Sequence, residues 1–367
     1  MLTFRKYLGK EVRRLRFIGR LIKRIIGFAF LLFCIFALLY LVPLTETSDS
    51  NGMAKDAEWM STVPDDIPLN EINLAGTHAS ATQFTQIPFL FRCQAMSVEA
   101  QLNAGFRFLD IGVAIESADG GQRLKLMNGF ADCLTGAMPD SAKMYLDGVL
   151  TQCFSFLRQH PTETVIIAVS QQHGKESVSA LQQLLYSYVR HDEQYWFLSD
   201  RIPTLGECRG KLLLMRRFED AAGLGSASGI SLQWEDQGTA ENTALHTVAC
   251  NNGTYTLYVQ DRSGYSDEEK WQAFVSGMAT GSRETSGGAV SLNFLSSYGP
   301  LYFGHPYRHA AALNGALRNR GENFGGWIIV DFGEPYLARL VYTSKTYPAA
   351  AYTAAVPDST DAAPHLP

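Results

Sequence analysis

The chain has 367 residues, a net charge of −5, 46% hydrophobic residues and 18% charged residues, but the charge is laid out unevenly. Residues 1–24 hold nine of the 31 basic side chains and one acid, Glu11; residues 25–45 carry no charge, and the remainder carries a net −13. These figures exclude an ordinary cytosolic enzyme, a polytopic membrane protein (no second uncharged run approaches spanning length) and a nucleic-acid binder, because the acidic part offers phosphate no basic face.

Residues 25–44, IIGFAFLLFCIFALLYLVPL, are long enough as a helix to cross a bilayer core of about 30 Å. All the flanking basic residues precede the run, so residues 1–24 read as a cytosolic tail and the large domain faces a lumen or the outside: a single-pass membrane protein. The alternative is a cleaved signal peptide. Against it stand the long basic region, the length of the apolar run and the lack of a small-x-small site after Leu44. Residues 45–60 read as a polar stalk, residues 61–345 as the folded domain and residues 346–367, rich in Pro, Ala, Ser and Asp, as a disordered tail.

Of six cysteines, Cys34 falls in the apolar run and five in the domain, an odd number that leaves at least one unpaired. A Cys93–Cys133 disulfide suits an oxidising compartment, although sequence does not fix connectivity. No CxxC spacing marks a zinc site, and no metal is expected. Asn252-Gly253-Thr254 is a glycosylation sequon.

Eight apolar runs read as strands: residues 71–75, 106–112, 124–128, 164–170, 211–217, 254–260, 290–294 and 327–332. Helical patterns fall at 97–104, 141–159, 177–189, 267–277, 310–318 and 334–342. The alternation predicts an α/β fold, a distorted (β/α)8 TIM-like barrel, irregular because no helix separates the second and third strands. The strand ends read Thr77-His78, Asp110, Asn128, Gln171-Gln172-His173, Arg216-Arg217, Asp261, Asn293 and Asp331. Barrel enzymes carry their chemistry there.

In order along the chain, Leu74-Ala75-Gly76-Thr77-His78-Ala79-Ser80, Cys93-Gln94, Gln101 to Gly105, Arg107 to Ile111, His160 to Ile167, Arg209 to Lys211 with Arg216-Arg217, Val259-Gln260-Asp261 and Val330-Asp331-Phe332 resemble the blocks of the phosphatidylinositol-specific phospholipase C X-domain family. The resemblance spans roughly residues 60–345. It implies a distorted β/α barrel that cleaves the phosphodiester of phosphatidylinositol or its glycosylated forms: one His takes the proton of the inositol 2-hydroxyl, which attacks phosphorus, and a second His protonates the departing oxygen. His suits both tasks because it titrates near neutral pH.

Carried over position by position, the resemblance makes His78 the general base, Asp331 the carboxylate that orients it and Asp110 the acid of the second strand. It makes Asp261 a ligand of an inositol hydroxyl; the plainer reading is a strand-end cap. Three positions depart. Asn128 stands where the second His belongs and donates no proton to a leaving group. Ala79 replaces an Asp. Gly112 stands where bacterial members carry a phosphate-binding Arg and calcium-dependent members a calcium ligand, so no calcium or other cofactor is expected. His173 is either a surrogate acid or a solvated loop residue. Of Arg216 and Arg217, adjacent on a strand, one faces inward and can meet phosphate; Gln172 joins them as a candidate substrate contact. His246, His305 and His309 read as surface or loop residues.

Three activities fit: a membrane-tethered phosphodiesterase of a phosphatidylinositol or glycosylphosphatidylinositol headgroup, a catalytically impaired relative that binds a phosphoinositide or inositol phosphate headgroup, or a phosphodiesterase with altered substrate choice. The bilayer is the expected partner. Glycerophosphodiester phosphodiesterases share the barrel but need an acidic metal-binding cluster that the sequence does not show.

Overall fold

The computed structural model describes residues 2–41, 56–118, 121–174, 176–238, 248–299, 305–320 and 324–347. Helix α1 (Leu2–Leu41) has side chains described over residues 14–35, each of them exposed. Among the described residues no helix is long and apolar enough to cross a membrane; the expected span, residues 25–44, runs beyond them. Asp56, Ala57, Trp59 and Met60, placed by sequence in the stalk, are buried in the domain. Residues 45–55 and 348–367 lie outside the described residues.

One twelve-stranded sheet forms the domain. Its strands are β1 (Leu74–Thr77), β2 (Phe108–Ala118), β3 (Gly121–Asn128), β4 (Ala131–Asp132), β5 (Val165–Gln171), β6 (Trp196–Phe197), β7 (Leu212–Arg216), β8 (Ile230–Ser231), β9 (Val248–Asn251), β10 (Thr256–Gln260), β11 (Val290–Phe294) and β12 (Trp327–Val330). The wall runs β7–β5–β2–β1–β12–β11–β10 with every neighbouring pair parallel, and β8 extends it beyond β7. Around it lie α2 (Pro88–Phe91), α3 (Val98–Asn103), α4 (Leu146–Gln159), α5 (Val178–His191), α6 (Leu205–Cys208), α7 (Asp267–Glu284), α8 (Pro306–Arg320) and α9 (Pro335–Tyr342). The expected barrel is present, and it is irregular.

The irregularity has two sources. The expected third strand, β3, pairs antiparallel with β2 as a hairpin and is no part of the parallel wall. Alternating burial is the same for either strand direction, so the pattern could not tell them apart. Its place in the wall falls to β8, two residues long and too short for a periodic signal. The second source is the seam between β8 and β10, where no backbone ladder closes the barrel among the described residues. Side chains bridge it: the Tyr255 hydroxyl donates to the Ser231 carbonyl, and Gln233 N–H donates to Asn252 Oδ1 at 2.8 Å. The side-chain nitrogen of Asn252, the atom a glycan would join, is buried, although the residue itself is only half-buried.

Strand β5 shows how the sequence builds the wall. Val165, Ile167 and Val169 face the helices, among Leu146, Leu150 and Leu181. Ile166 and Ala168 face the barrel interior with Leu74, Phe108, Leu213, Val259, Leu292 and Ile329. Period-two alternation of branched residues buries both faces. Trp59, Met60, Leu69 and Ile72 join the inner cluster. Arg107 and Glu163, both fully buried and 2.7 Å apart, hold this segment: Arg107 also donates to the carbonyls of Ala57 and Leu102. Such a pair is satisfied only with both members present.

Candidate active site

Thr77 of β1 lies opposite Val330 of β12, so the residues just past the two strand ends, His78 and Asp331, emerge side by side. Gly76 permits the close approach of β1 to both neighbours, because a Cβ there would collide with Ile329 Cδ1 of β12 and stand 2.7 Å from Phe108 Cβ of β2. Both chains then turn through a left-handed residue, Ala79 (φ 44°) and Phe332 (φ 47°). That conformation costs a non-glycine residue about 1–2 kcal/mol and is held by Ala79 N–H to Asp110 Oδ2 (3.3 Å) and Phe332 N–H to the Cys93 carbonyl (2.6 Å). Gln94 ties the two turns together. Its Nε2 donates to the carbonyls of His78 (2.7 Å) and Val330 (3.0 Å), and its Oε1 accepts from Gly333 N–H (3.1 Å).

His78 Nδ1 is 2.7 Å from Asp331 Oδ1, and Nε2 is 4.0 Å from Asp110 Oδ2. Asp331 is buried, while the imidazole keeps 30% of its surface exposed. Burial lowers the imidazole pKa, but the Asp331 charge and hydrogen bond, with Cys93, outweigh it and leave the pKa well above 6.5. Cys93 is buried against this pair. Burial first, then the Asp331 charge, push its thiol up to about 11, so it is neutral at physiological pH.

Across the mouth, Arg217 lies 3.7 Å from Asp110 Oδ1 and 3.8 Å from Asp261 Oδ2, with its guanidinium 3.8 Å from the centre of the Trp234 ring. Trp234 Nε1 donates to Asp261 Oδ2 at 3.1 Å, so Trp234 and Asp261 fix the guanidinium from two sides. Arg216 points away: it donates to Ser228 Oγ (3.0 Å) and the Phe218 carbonyl (2.6 Å) and is structural. Below Asp261, the fully buried Lys270 of α7 donates to Gln260 Oε1 at 3.0 Å. Burial lowers its pKa to about 7, although Asp261 and Asp331 pull the other way.

No protein-family model matches the chain. Among curated proteins it is 28% identical over 305 residues, 77% of this chain and 90% of the relative, to a 1-phosphatidylinositol phosphodiesterase of Staphylococcus aureus. A 1-phosphatidylinositol phosphodiesterase of Listeria monocytogenes is 29% identical over 171 residues, 43% of this chain and 48% of the relative. Among solved structures, a mutant phosphatidylinositol-specific phospholipase C of Staphylococcus aureus superposes with a TM-score of 0.64 at 23% identity, covering 82% of this chain and 100% of that one. The Listeria monocytogenes phosphatidylinositol-specific phospholipase C superposes with a TM-score of 0.59, covering 80% and 99%. This is a phosphatidylinositol-specific phospholipase C-like barrel.

Within that barrel, the positions that depart from the family pattern are packed rather than vacant. A Cβ at Gly112 would lie 2.3 Å from the Met127 carbonyl oxygen and 2.5 Å from Gln172 Cγ. Gln172 fills the space, accepting from Gly129 N–H (3.2 Å) and donating to Ser170 Oγ (3.0 Å). Asn128 turns its amide onto the Phe91 carbonyl (3.0 Å) and Cys93 Sγ (3.5 Å). His173 is exposed on the loop after β5, and its side chain bonds to none of these groups; the side chain that turns from this strand end toward β3 is its neighbour Gln172. His246 lies outside the described residues. His309 pairs with Asp267 at 2.5 Å. His305 packs on Phe332, beside Asp331, and burial lowers its pKa to about 4.

Sequence reasoning missed Trp234, Lys270 and the place of Cys93. Trp234 follows the two-residue β8 and had no strand pattern to mark it. Cys93-Gln94 stood in a matched block, which was the one available signal for both residues.

Proposed function

We propose that the chain is a membrane-tethered phosphodiesterase that cleaves a phosphatidylinositol or glycosylphosphatidylinositol headgroup. The observation that carries this reading is the His78–Asp331 pair, 2.7 Å apart, on the same mouth as the Arg217–Asp261 contact. In its neutral form, with Nδ1–H held by Asp331, His78 presents Nε2 to the inositol 2-hydroxyl and takes its proton; because the pair raises the imidazole pKa, that form gains population, and the rate rises, toward alkaline pH. Arg217 is the cation available to a phosphate oxygen or inositol hydroxyl. With Asn128 at the second-His position, the departing oxygen takes its proton from solvent, and turnover is slower than with a positioned acid, whose worth is typically about 10²–10⁴-fold. No calcium is required, since the Gly112 position offers no ligand.

The tether supports the same reading. Helix α1 carries exposed apolar side chains along residues 25–35, among them Phe28, Phe30 and Phe33, and a helix apolar all round suits a bilayer rather than water. Helix α1 also runs beside α2, the helix that leads to Cys93. Anchoring holds the mouth at high effective concentration near lipid headgroups, with residues 1–24 cytosolic. A second reading, headgroup binding without turnover, draws on the packing at Gly112 and Asn128.

The test is the full chain in detergent, assayed on phosphatidylinositol vesicles with and without calcium, beside His78→Ala. Calcium-independent release of inositol phosphate that disappears in the variant supports the enzyme. Saturable binding without release establishes the second reading in its place.

A further inference from the structure

Three side chains of different chemistry, from three distant segments, meet beside β1. His78, Cys93 and Asp331 each place one donor atom within 4.8 Å of the others. Cys93 and Asp331 are each 3% exposed, and His78 is 30% exposed, so the cluster is closed toward the core and open toward the mouth. The reaction read for this site employs the imidazole and the carboxylate but has no task for the thiol. Cys93 forms no disulfide, and Asn128 Nδ2 points at its sulfur from 3.5 Å.

The donor set is selective. Calcium and magnesium take oxygen ligands, whereas sulfur, imidazole nitrogen and a single carboxylate suit zinc and its thiophilic relatives. Tetrahedral zinc holds such ligands at about 2.0–2.3 Å, which requires only small side-chain movements from the observed spacing. Three protein ligands leave the fourth position open to the mouth. An amide donor on the sulfur is the kind of outer contact that steadies a bound thiolate.

We propose that His78, Cys93 and Asp331 form a binding site for zinc or a similar thiophilic cation, and that the ion inhibits the enzyme by occupying its base. On binding, the Cys93 thiol proton and the proton on the coordinating nitrogen of His78 both leave to solvent, and Asp331 coordinates the ion in place of orienting His78. Inhibition rests on the proposed role of His78; metal binding does not.

The test uses the full chain in detergent with zinc alone in equilibrium dialysis, and with cadmium as a probe of the thiolate-to-metal ultraviolet band. The expected result is one bound ion and a thiolate band in the wild type. Cys93→Ala should bind at least about tenfold more weakly, as loss of a metal contact does, and lack the band, while Cys133→Ala binds as the wild type does. Zinc-soaked wild-type crystals give a readout independent of variant folding: the anomalous peak should touch Cys93 Sγ and a His78 ring nitrogen. No band in the wild type, equal zinc affinity in Cys93→Ala, or an anomalous peak elsewhere overturns the proposal. A chain that binds zinc here but cleaves no lipid overturns only the enzymatic reading. A chain that cleaves lipid without binding zinc overturns only this one.

Discussion

On one side of the barrel mouth, the ends of β1, β12, β7 and β10 supply two pairs, His78–Asp331 and Arg217–Asp261, which Asp110 of β2 links at 4.0 Å to His78 and 3.7 Å to Arg217. On the other side, β2, β3 and β5 supply Gly112, Asn128 and Gln172, which bond to one another's strands and to α2 rather than into the mouth. The first side keeps the groups that resemble the family's base and sugar contacts. The second carries Asn128 and Gly112 where the resemblance implies an acid and a phosphate cation, and both positions are tightly packed. A functional group absent from a sequence therefore differs from a hole in the structure: at Gly112 and Asn128 the neighbours leave no vacant space.

The largest expected effect tests the intact side. His78→Ala should lower phosphatidylinositol cleavage by about 10²–10⁴-fold, the usual worth of a positioned base, while headgroup binding to vesicles changes little. A loss of binding equal to the loss of rate would mean that His78 only shapes the pocket. Next comes the tightly packed side. Gly112→Arg, which on sequence alone looks like a repair, should destabilise the domain by about 1–3 kcal/mol, the common cost of overpacking, because its Cβ meets the Met127 carbonyl oxygen before it meets Gln172. Denaturant unfolding measures this, and an unchanged midpoint with higher activity would show that β3 yields.

Lys270 sharpens the contrast from below. Its folded pKa of about 7 lies under the ordinary 10.5, so between these values the unfolded chain holds a proton that the folded chain does not. Stability should therefore rise with pH from about 7 toward 10, at up to about 1.4 kcal/mol per pH unit, and the penalty is fully present below 7. Lys270→Met should flatten that slope and stabilise the domain at neutral pH, because desolvation is the largest influence on this ammonium. Urea midpoints at pH 7, 8 and 9 for both proteins decide it, and parallel slopes would refute the assignment.

The barrel was legible because its strands alternate and its helices follow the apolar period: the patterns at 177–189 and 267–277 become α5 and α7, which the structure shows to be capped by Ser177 and Ser266. The dyad was legible because Leu74 to Ser80 and Val330-Asp331-Phe332 resemble two blocks of one family, and Asp331 also follows the apolar run 327–330. What stayed hidden depended on register, direction or convergence. A shift of one residue exchanges the two faces of a strand, so the sequence could weigh Arg216 against Arg217 without choosing. The direction of β3 left no trace in its alternation. The meeting of Cys93 with residues 78 and 331 depends on Gln94 tying two strand ends together, which no spacing rule describes.

Asn128→His is expected to have the smallest effect and bears most directly on the difference between the two sides. If the mouth lacked only its acid, a histidine at this position would recover a large part of the positioned-acid advantage. The structure argues otherwise. The Asn128 amide is engaged by the Phe91 carbonyl and Cys93 Sγ, and an imidazole there inherits those partners. Its proton would then be held by a backbone carbonyl rather than directed at a leaving group, and the Gly112 position would still add no second cation to Arg217. The rate on phosphatidylinositol should change by less than about threefold, well below the 10²–10⁴ of a working acid. A larger gain would mean that the β2–β3–β5 side is still arranged for catalysis and that Asn128 alone had silenced it.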